Sequence, residues 1–245
     1  MRAYIDFKLD KELTIPTQYN HIVQAVILKW LGDDNYSKFL HDCGYEYNNR
    51  RYKLYTFSRL QGNFKINRQT KMITYYDNTR LVVSSSEDKF IEYLVNTFLE
   101  GGKVKIGRNE VEIASIRSQK YNYVPEDMFY TLSPIVAYST LYDRDKKKTY
   151  YYSPYETEFE ELIRKNLIKK YAALYDKLPE DDSFTIKPLQ NNRLKENIVI
   201  YRETVIKGWS GEFLIKGSDE LLNIAYDSGL GSKNSQGFGC IESKK

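Results

Sequence analysis

The sequence predicts an α+β fold made of two similar halves. The stretch "AYIDFKL" (3–9) alternates apolar and polar residues, as a half-buried strand does. A helical stripe follows it, which Asn20 could cap, and it consists of Ile22, Val23, Val26, Ile27, Trp30 and Leu31. Strand and helix patterns recur after residue 120. We therefore predict two tandem ferredoxin-like (RRM-like) domains, residues 1–120 and residues 121–245.

In the first half the remaining elements complete the order β-α-β-β-α-β. The stretches "YKLYTFS" (52–58) and "MITYY" (72–76) are predicted strands, and "KVKIGRNEVEIASIR" (103–117) is strand material with a glycine-containing turn. A second helix is predicted from near Ser86, with its apolar face formed by Phe90, Ile91, Leu94, Val95, Phe98 and Leu99.

The second half repeats the theme with looser spacing. Extended segments are predicted at 128–142, 148–153, 183–189, 197–208, 209–217 and 237–243, with a charged hairpin tip at "DRDKKK" (143–148). One helix carries Phe159, Leu162, Ile163, Leu167 and Tyr171. Ser218 can cap a shorter helix that Gly229 ends.

Composition restricts the class of protein. No apolar run is long enough for a membrane span, the start of the chain does not resemble a signal peptide, and the two cysteines form no metal-binding spacing, so we expect a cytoplasmic protein without cofactor or metal. The chain has 23 Tyr, 11 Phe and a net charge of +4. Such a composition suits an RNA-binding protein, because aromatic rings stack on bases and cations neutralise phosphates. The alternative is that the tyrosines fill half-buried strand positions.

A glycine cluster near the end of the chain, "GLGSKNSQGFG" (229–239), raises the question of phosphate binding. It follows a helix and contains no GK[ST], so it is not a Walker loop. Dense glycines can still expose backbone N–H groups to a phosphodiester chain, whereas the alternative is a flexible connection. The candidate RNA-binding residues here are Gly229, Gly231, Lys233, Asn234, Ser235, Gly237 and Gly239.

This loop resembles the signature of the CRISPR repeat-processing endoribonucleases, members of the repeat-associated mysterious protein superfamily. Further similar segments occur in the same order along the chain: "YNHIVQAVI" (19–27), "KFLHDCGY" (38–45), "YKLYTFSRL" (52–60), "YTLSPI" (130–135) and "YETEFEELIRKNL" (155–167). The resemblance implies two ferredoxin-like domains that bind CRISPR precursor RNA and cut once in each repeat. It also implies metal-independent attack by a 2′-hydroxyl, which leaves a 2′,3′-cyclic phosphate and a 5′-hydroxyl.

Two residues match the family's catalytic positions. His41, in "KFLHDCGY", would transfer protons, and Lys53, in "YKLYTF", would stabilise the charged transition state or else simply face solvent. His21, the other histidine, is expected to cap or pack. Many members place a tyrosine where this chain has Leu28, which helical phase directs away from the core stripe and toward a cleft beside His41. Tyr36 or another of the many tyrosines could substitute, or His41 could act with only Lys53 and the RNA.

Further RNA contacts are predicted outside the loop. Arg50 and Arg51 flank the proposed active site, and Lys187, Arg193 and Lys195 lie in a polar stretch of the second half. Each could equally be an ordinary surface charge. The alternative function is a degenerate member that holds CRISPR RNA in an effector complex, beside other subunits, without cutting it. The sequence leaves the oligomeric state open, including a homodimer.

Overall fold

The computed structural model describes residues 1–99, 102–143, 146–189 and 194–244. In the first half the helices are α1 (Asn20–Trp30), α2 (Asp34–Lys38), which a π-helical turn (Phe39–Cys43) follows, and α3 (Asp88–Leu99). The strands are β1 (Arg2–Lys8), β2 (Leu13–Pro16), β3 (Tyr45–Tyr47), β4 (Arg50–Tyr52), β5 (Tyr55–Phe57), β6 (Phe64–Asn67), β7 (Met72–Tyr75), β8 (Thr79–Ser85), β9 (Lys103–Ile106) and β10 (Asn109–Gln119).

The second half contains the helices α4 (Thr157–Tyr175) and α5 (Asp219–Ser228), and a 3-10 turn (Asn234–Gln236). Its strands are β11 (Glu126–Thr131), β12 (Tyr138–Asp143), β13 (Lys146–Tyr151), β14 (Phe184–Pro188), β15 (Lys195–Tyr201), β16 (Thr204–Ser210), β17 (Glu212–Gly217) and β18 (Ile241–Ser243). The predicted boundary at residue 120 falls between β10 and β11.

Each half forms an antiparallel sheet with the same topology. The first sheet has the order β5-β8-β1-β10-β9 and the second has the order β14-β17-β11-β18. In both, the first strand lies between the third and fourth strands of a β-α-β-β-α-β unit, which is the ferredoxin-like arrangement. The predicted fold class is therefore confirmed.

Apolar burial explains where the helices lie. α1 and α3 bury one side against the first sheet, through residues such as Val23, Ile27 and Leu94. α4 and α5 do the same on the second sheet, through residues such as Ile163 and Leu222. No helix within the described parts of the chain has both the length and the apolar character needed to cross a bilayer.

Three local predictions differ from the structure. The third strand of the first unit is β8 rather than 72–76, because β7 pairs with β2 and β6 in a small separate sheet. The segment 197–208 is a hairpin, with Tyr201 paired to Thr204 across its turn. Asn20 does not cap α1; its amide instead donates to the carbonyls of Gln236 and Gly237 in the glycine loop.

The two halves are joined by buried polar contacts. Arg2 is fully buried; it donates a 2.8 Å hydrogen bond to the carbonyl of Tyr226 and lies 3.1 Å from the carboxylate of Glu242. Two strands away in the same sheet, where Ser84 pairs with both Arg2 and Thr56, the hydroxyl of Thr56 donates to the carbonyl of Phe238 at 2.8 Å. The glycine loop therefore packs directly on the first half.

Candidate functional site

The proposed catalytic histidine lies on the π-helical turn that ends at Cys43. Asp33 caps α2 by accepting a 2.7 Å hydrogen bond from the Tyr36 backbone, and the chain then runs through His41 to Gly44. Gly44 has φ +70°, and a Cβ there would lie 2.5 Å from the carbonyl oxygen of Tyr52. Only glycine lets the β3–β4 hairpin return this closely. That return places the residue after β4 beside His41.

Lys53 is the residue that this hairpin brings back. Its Nζ donates a 2.8 Å hydrogen bond to the main-chain carbonyl of His41. Partial burial of the side chain lowers the pKa of Lys53. The two residues that match the family's catalytic positions are thus in direct contact, with a cation held next to the histidine.

Asp42 orients the imidazole. His41 Nδ1 lies 2.7 Å from Asp42 Oδ1, and the hydrogen bond from His41 lowers the pKa of the Asp42 carboxyl. An ionised carboxylate only accepts hydrogen bonds, so Nδ1 carries the proton. This tautomer leaves Nε2 available for proton transfer. The His41 side chain is 62% exposed, so a substrate can reach it.

A cleft of about 860 Å³ lies beside this turn, between the two halves. None of the lining residues that the structure describes is acidic. The basic ones are Arg50, Arg51, Lys53, Lys165, Lys169, Lys170 and Lys233. Basic side chains gathered in a cleft produce a positive electrostatic potential there, and such a potential attracts a polyanion. His41 is not part of the lining; it contacts the cleft through Lys53.

The glycine loop forms one wall of the cleft, but not in the way its composition predicted. Gly229, Gly231, Gly237 and Gly239 are all buried, and Gly231 also borders the cleft. Gly237 has φ +84°, and a Cβ there would lie 2.5 Å from the Phe57 ring. The expectation of free backbone N–H groups is wrong at Gly237 and Gly239, whose N–H groups donate to Asn234 and Pro134 carbonyls. These glycines permit close packing, whereas Ser232, Lys233 and Ser235 are half-buried at the cleft.

Asn234 and Lys170 hold the loop in shape. The buried Asn234 amide donates to the carbonyls of Leu230 and Phe238, each at 3.0 Å. From α4, Lys170 Nζ donates to Asn234 Oδ1 at 2.7 Å and to the Gly229 carbonyl at 2.6 Å. Burial lowers the pKa of Lys170 to about 7. The side-chain amide of Asn234, a residue predicted to bind RNA, therefore makes its hydrogen bonds within the loop and to Lys170.

The other predicted RNA contacts are scattered. Arg50 and Arg51 line the cleft near Lys53. Lys195 lines a second, smaller cleft of about 550 Å³ together with Arg59. Lys187 is exposed and pairs with Glu160 at 3.2 Å, and it lines neither cleft. Arg193 lies outside the described residues.

Leu28 and Tyr36 do not lie where the sequence suggested. Leu28 is half-buried against the first core and is absent from the described cleft lining, so the prediction that it faces the cleft is wrong. Tyr36 is buried, and burial raises the pKa of its hydroxyl, so it is a poor substitute for a catalytic tyrosine. His21 packs edge-on against Tyr201.

Sequence reasoning missed Asp42, Gly44, Lys165 and Lys169. The first two lie inside the quoted "KFLHDCGY", where a glycine directly after a helical segment could have indicated a tight return. Lys165 and Lys169 are one helical turn apart on α4, a spacing that places both on one face. Only the packing of α4 beside the loop shows that this face borders the cleft.

Comparison with known proteins agrees with this architecture. Residues 14–117 match the family of the CRISPR-associated protein Cas6, N-terminal, and residues 117–243 match the family of the CRISPR associated protein Cas6, C-terminal. The CRISPR-associated endoribonuclease Cas6 1 of Methanocaldococcus jannaschii is 30% identical over 249 residues, covering 98% of this chain and 92% of that protein. The CRISPR-associated endoribonuclease Cas6 of Pyrococcus furiosus is 26% identical over 95% of this chain and 85% of its own.

Solved structures give the same result. The product of a Cas6-related gene from Pyrococcus furiosus has a TM-score of 0.85 at 26% identity and covers 100% of this chain and 98% of its own. A RAMP protein described as binding different RNA substrates has a TM-score of 0.83 at 25% identity, with both chains fully covered. With family matches that together span almost its whole length, the chain belongs to the CRISPR-associated Cas6 family.

Proposed function

We propose that this protein binds CRISPR precursor RNA and cuts it once within each repeat to release guide RNAs. The observation that supports this most directly is the contact between Lys53 and His41 at the edge of a cleft whose described charged residues are all basic. The cleft offers several positive charges for phosphates, and the exposed imidazole belongs to the residue whose carbonyl the cleft-lining Lys53 contacts. The endoribonuclease relatives supply the reaction class.

The proposed reaction is an internal transesterification. The 2′-oxygen next to the scissile phosphate bonds to phosphorus, and the bond to the 5′-oxygen of the following nucleotide breaks. His41 Nε2 is suited to accept the 2′-hydroxyl proton or, when protonated, to deliver a proton to the departing 5′-oxygen. The products carry a 2′,3′-cyclic phosphate and a 5′-hydroxyl, and the step requires no metal.

Lys53 supports the transition state electrostatically. Negative charge grows on the non-bridging phosphoryl oxygens as the 2′-oxygen attacks, and a fixed cation stabilises it. Because its hydrogen bond to the His41 carbonyl fixes its position, the ammonium needs little reorganisation when the substrate arrives. Arg50 and Arg51 on β4 would hold the flanking phosphates.

A single-turnover assay on the repeat RNA of the same genome, in EDTA, tests the proposal. A matched RNA carries a 2′-deoxy sugar at the cut. One EDTA-resistant cut that the deoxy substitution abolishes is the expected result, and chromatography of the fragments would then identify the cyclic phosphate. Tight binding without a cut would instead favour an RNA-holding role, which the apolar Leu28 and the buried Tyr36 would explain.

A further inference from the structure

Arg51 reaches the π-helical turn and is anchored to it in the same way as Lys53. Its Nη1 donates a 3.2 Å hydrogen bond to the main-chain carbonyl of Asp42, whereas Lys53 Nζ donates a 2.8 Å bond to the carbonyl of His41. The two carbonyls belong to consecutive residues of the turn. Tyr52, which separates the two basic residues, is buried, and residues two apart in an extended chain lie on the same side. Arg51 and Lys53 therefore face the turn together.

The two positive charges act on each other, and neither is paired with an acidic side chain. Burial lowers the pKa of the Lys53 ammonium, and the positive charge of Arg51 lowers it further. Within the described parts of the chain, no carboxylate forms a salt bridge with either cation. The Asp42 carboxylate is instead hydrogen-bonded to Nδ1 of His41. An anion bound between Arg51 and Lys53 would relieve their mutual repulsion.

Both cations can still donate to such an anion. A guanidinium and an ammonium each have several N–H donors, and the turn takes one from each. Both side chains line the cleft, and both are anchored to the turn that carries the exposed His41 imidazole. A phosphodiester has two non-bridging oxygens, and both gain negative charge as the 2′-oxygen attacks. Lys53 alone can neutralise the charge on only one of them.

We propose that Arg51 is a second catalytic cation, and that Arg51 and Lys53 each bind one non-bridging oxygen of the scissile phosphate. This role differs from the contact with a flanking phosphate that the place of Arg51 in the cleft lining alone suggests, and that contact remains with Arg50. Consecutive carbonyls of the turn hold both cations in place before RNA binds, so they stabilise the developing charge with little reorganisation. The inference rests on the proposed cleavage and adds a catalytic residue to it.

Single-turnover cleavage of the repeat RNA at saturating protein tests whether Arg51 acts in the chemical step. Arg51→Ala and Arg51→Gln are expected to lower the rate by about 10²–10³-fold, the usual cost of one lost donor to a developing oxyanion. Arg51→Lys should retain part of the activity, because it keeps the charge but not the planar set of donors. Lys38→Ala is the matched control and should cut at the wild-type rate, because Lys38 is an exposed cation at the end of α2 that does not line the cleft.

Sulfur substitution identifies the atom that Arg51 contacts. RNAs with one phosphorothioate at the scissile phosphate, separated into Rp and Sp isomers, replace one non-bridging oxygen at a time with a weaker hydrogen-bond acceptor. One isomer should slow the wild type but have little further effect on Arg51→Ala. The other isomer should show the same relationship with Lys53→Ala. Matched RNAs with the sulfur at a neighbouring phosphate are the control.

The outcomes separate this inference from the proposed function. If Arg51→Ala cuts at the wild-type rate, or if both isomers slow it as much as they slow the wild type, the inference is overturned while the proposed cleavage stands. A sulfur effect that Arg51→Ala loses only at a neighbouring phosphate would also overturn it, and would assign Arg51 to a flanking contact. If the wild type does not cut the repeat RNA, the proposed function fails and this inference fails with it.

Discussion

The amine of Lys53 donates a hydrogen bond of 2.8 Å to the main-chain oxygen of His41. This contact joins a strand end to the π-helical turn and depends on the glycine that lies between them, Gly44. It holds a cation against the backbone of the residue that carries the proposed proton-transfer group, before any substrate binds. Preorganisation of this kind is what lets electrostatic stabilisation act without reorganisation.

His41→Ala is expected to lower the single-turnover cleavage rate by about 10²–10⁴-fold, the usual contribution of a general acid or base. RNA affinity should hardly change, because His41 does not line the cleft. His21→Gln is the matched control, since that ring packs against Tyr201. Cleavage at the wild-type rate by His41→Ala would remove His41 from the mechanism.

Lys169→Ala and Lys233→Ala should each reduce the salt dependence of RNA binding. Each lost phosphate contact lowers the slope of log affinity against log salt by about one. Lys216→Ala is the control, because Lys216 pairs with Glu126 at 2.6 Å and is not in the cleft lining. Slopes equal to the wild type in both cleft variants would show that RNA binds elsewhere.

Gly237→Ala should destabilise the protein more than Gly102→Ala. Both glycines have positive φ, so alanine costs about 1–2 kcal/mol of backbone strain at either position. At Gly237 the new Cβ also meets the Phe57 ring, which adds about 1–3 kcal/mol of overpacking, whereas no atom of the described residues lies within 4 Å of a Cβ at Gly102. Urea unfolding measures the difference, and equal losses would show that the loop is not closely packed.

Lys170→Met should change how stability depends on pH. Burial lowers the pKa of Lys170 to about 7 from 10.5, so above pH 7 the unfolded chain keeps a proton that the folded chain releases. Wild-type stability should therefore rise with pH relative to the variant between these two values, by at most about 1.4 kcal/mol per pH unit. If the difference in unfolding free energy between wild type and variant is the same at pH 7, 8 and 9, the lowered pKa of Lys170 is contradicted.

Arg2→Met is expected to cost about 3–5 kcal/mol, because it leaves the mostly buried carboxylate of Glu242 without its cation. Arg2→Met combined with Glu242→Gln should recover part of that loss. A double-mutant cycle, with stabilities measured by urea unfolding, gives the interaction free energy between Arg2 and Glu242. Additive effects of the two substitutions would mean that the ion pair does not join the halves.

Local patterns were sufficient for most of the fold. The helical stripes of α1 and α3 and the cap at Ser218 follow from apolar spacing and short-range hydrogen bonding, which a sequence displays directly. The strand β8 was missed because it is buried on both faces and so lacks alternation. The hairpin of β15 and β16 was missed because its turn contains no glycine.

The site was only partly predictable. The motif placed His41 and Lys53, but the uses of Asn20 and Asn234 depend on the packing of distant segments. Asn20 contacts residues more than 200 positions away, and no local rule anticipates that. Glycine density indicated a special backbone at 229–239, although it could not distinguish a surface for phosphate from a tightly packed junction.

The hydrogen bond between Thr56 and Phe238 spans 182 residues. A ribosome adding about 5–20 residues per second needs roughly 10–35 s to make that stretch. Once β10 has been made, the first half has all the helices and strands of its sheet but still lacks the loop that covers one side of it. The junction between the halves is therefore complete only after the segment around Phe238 has been made, and a chain released before that point would expose the apolar surface around Phe57 to chaperones and proteases.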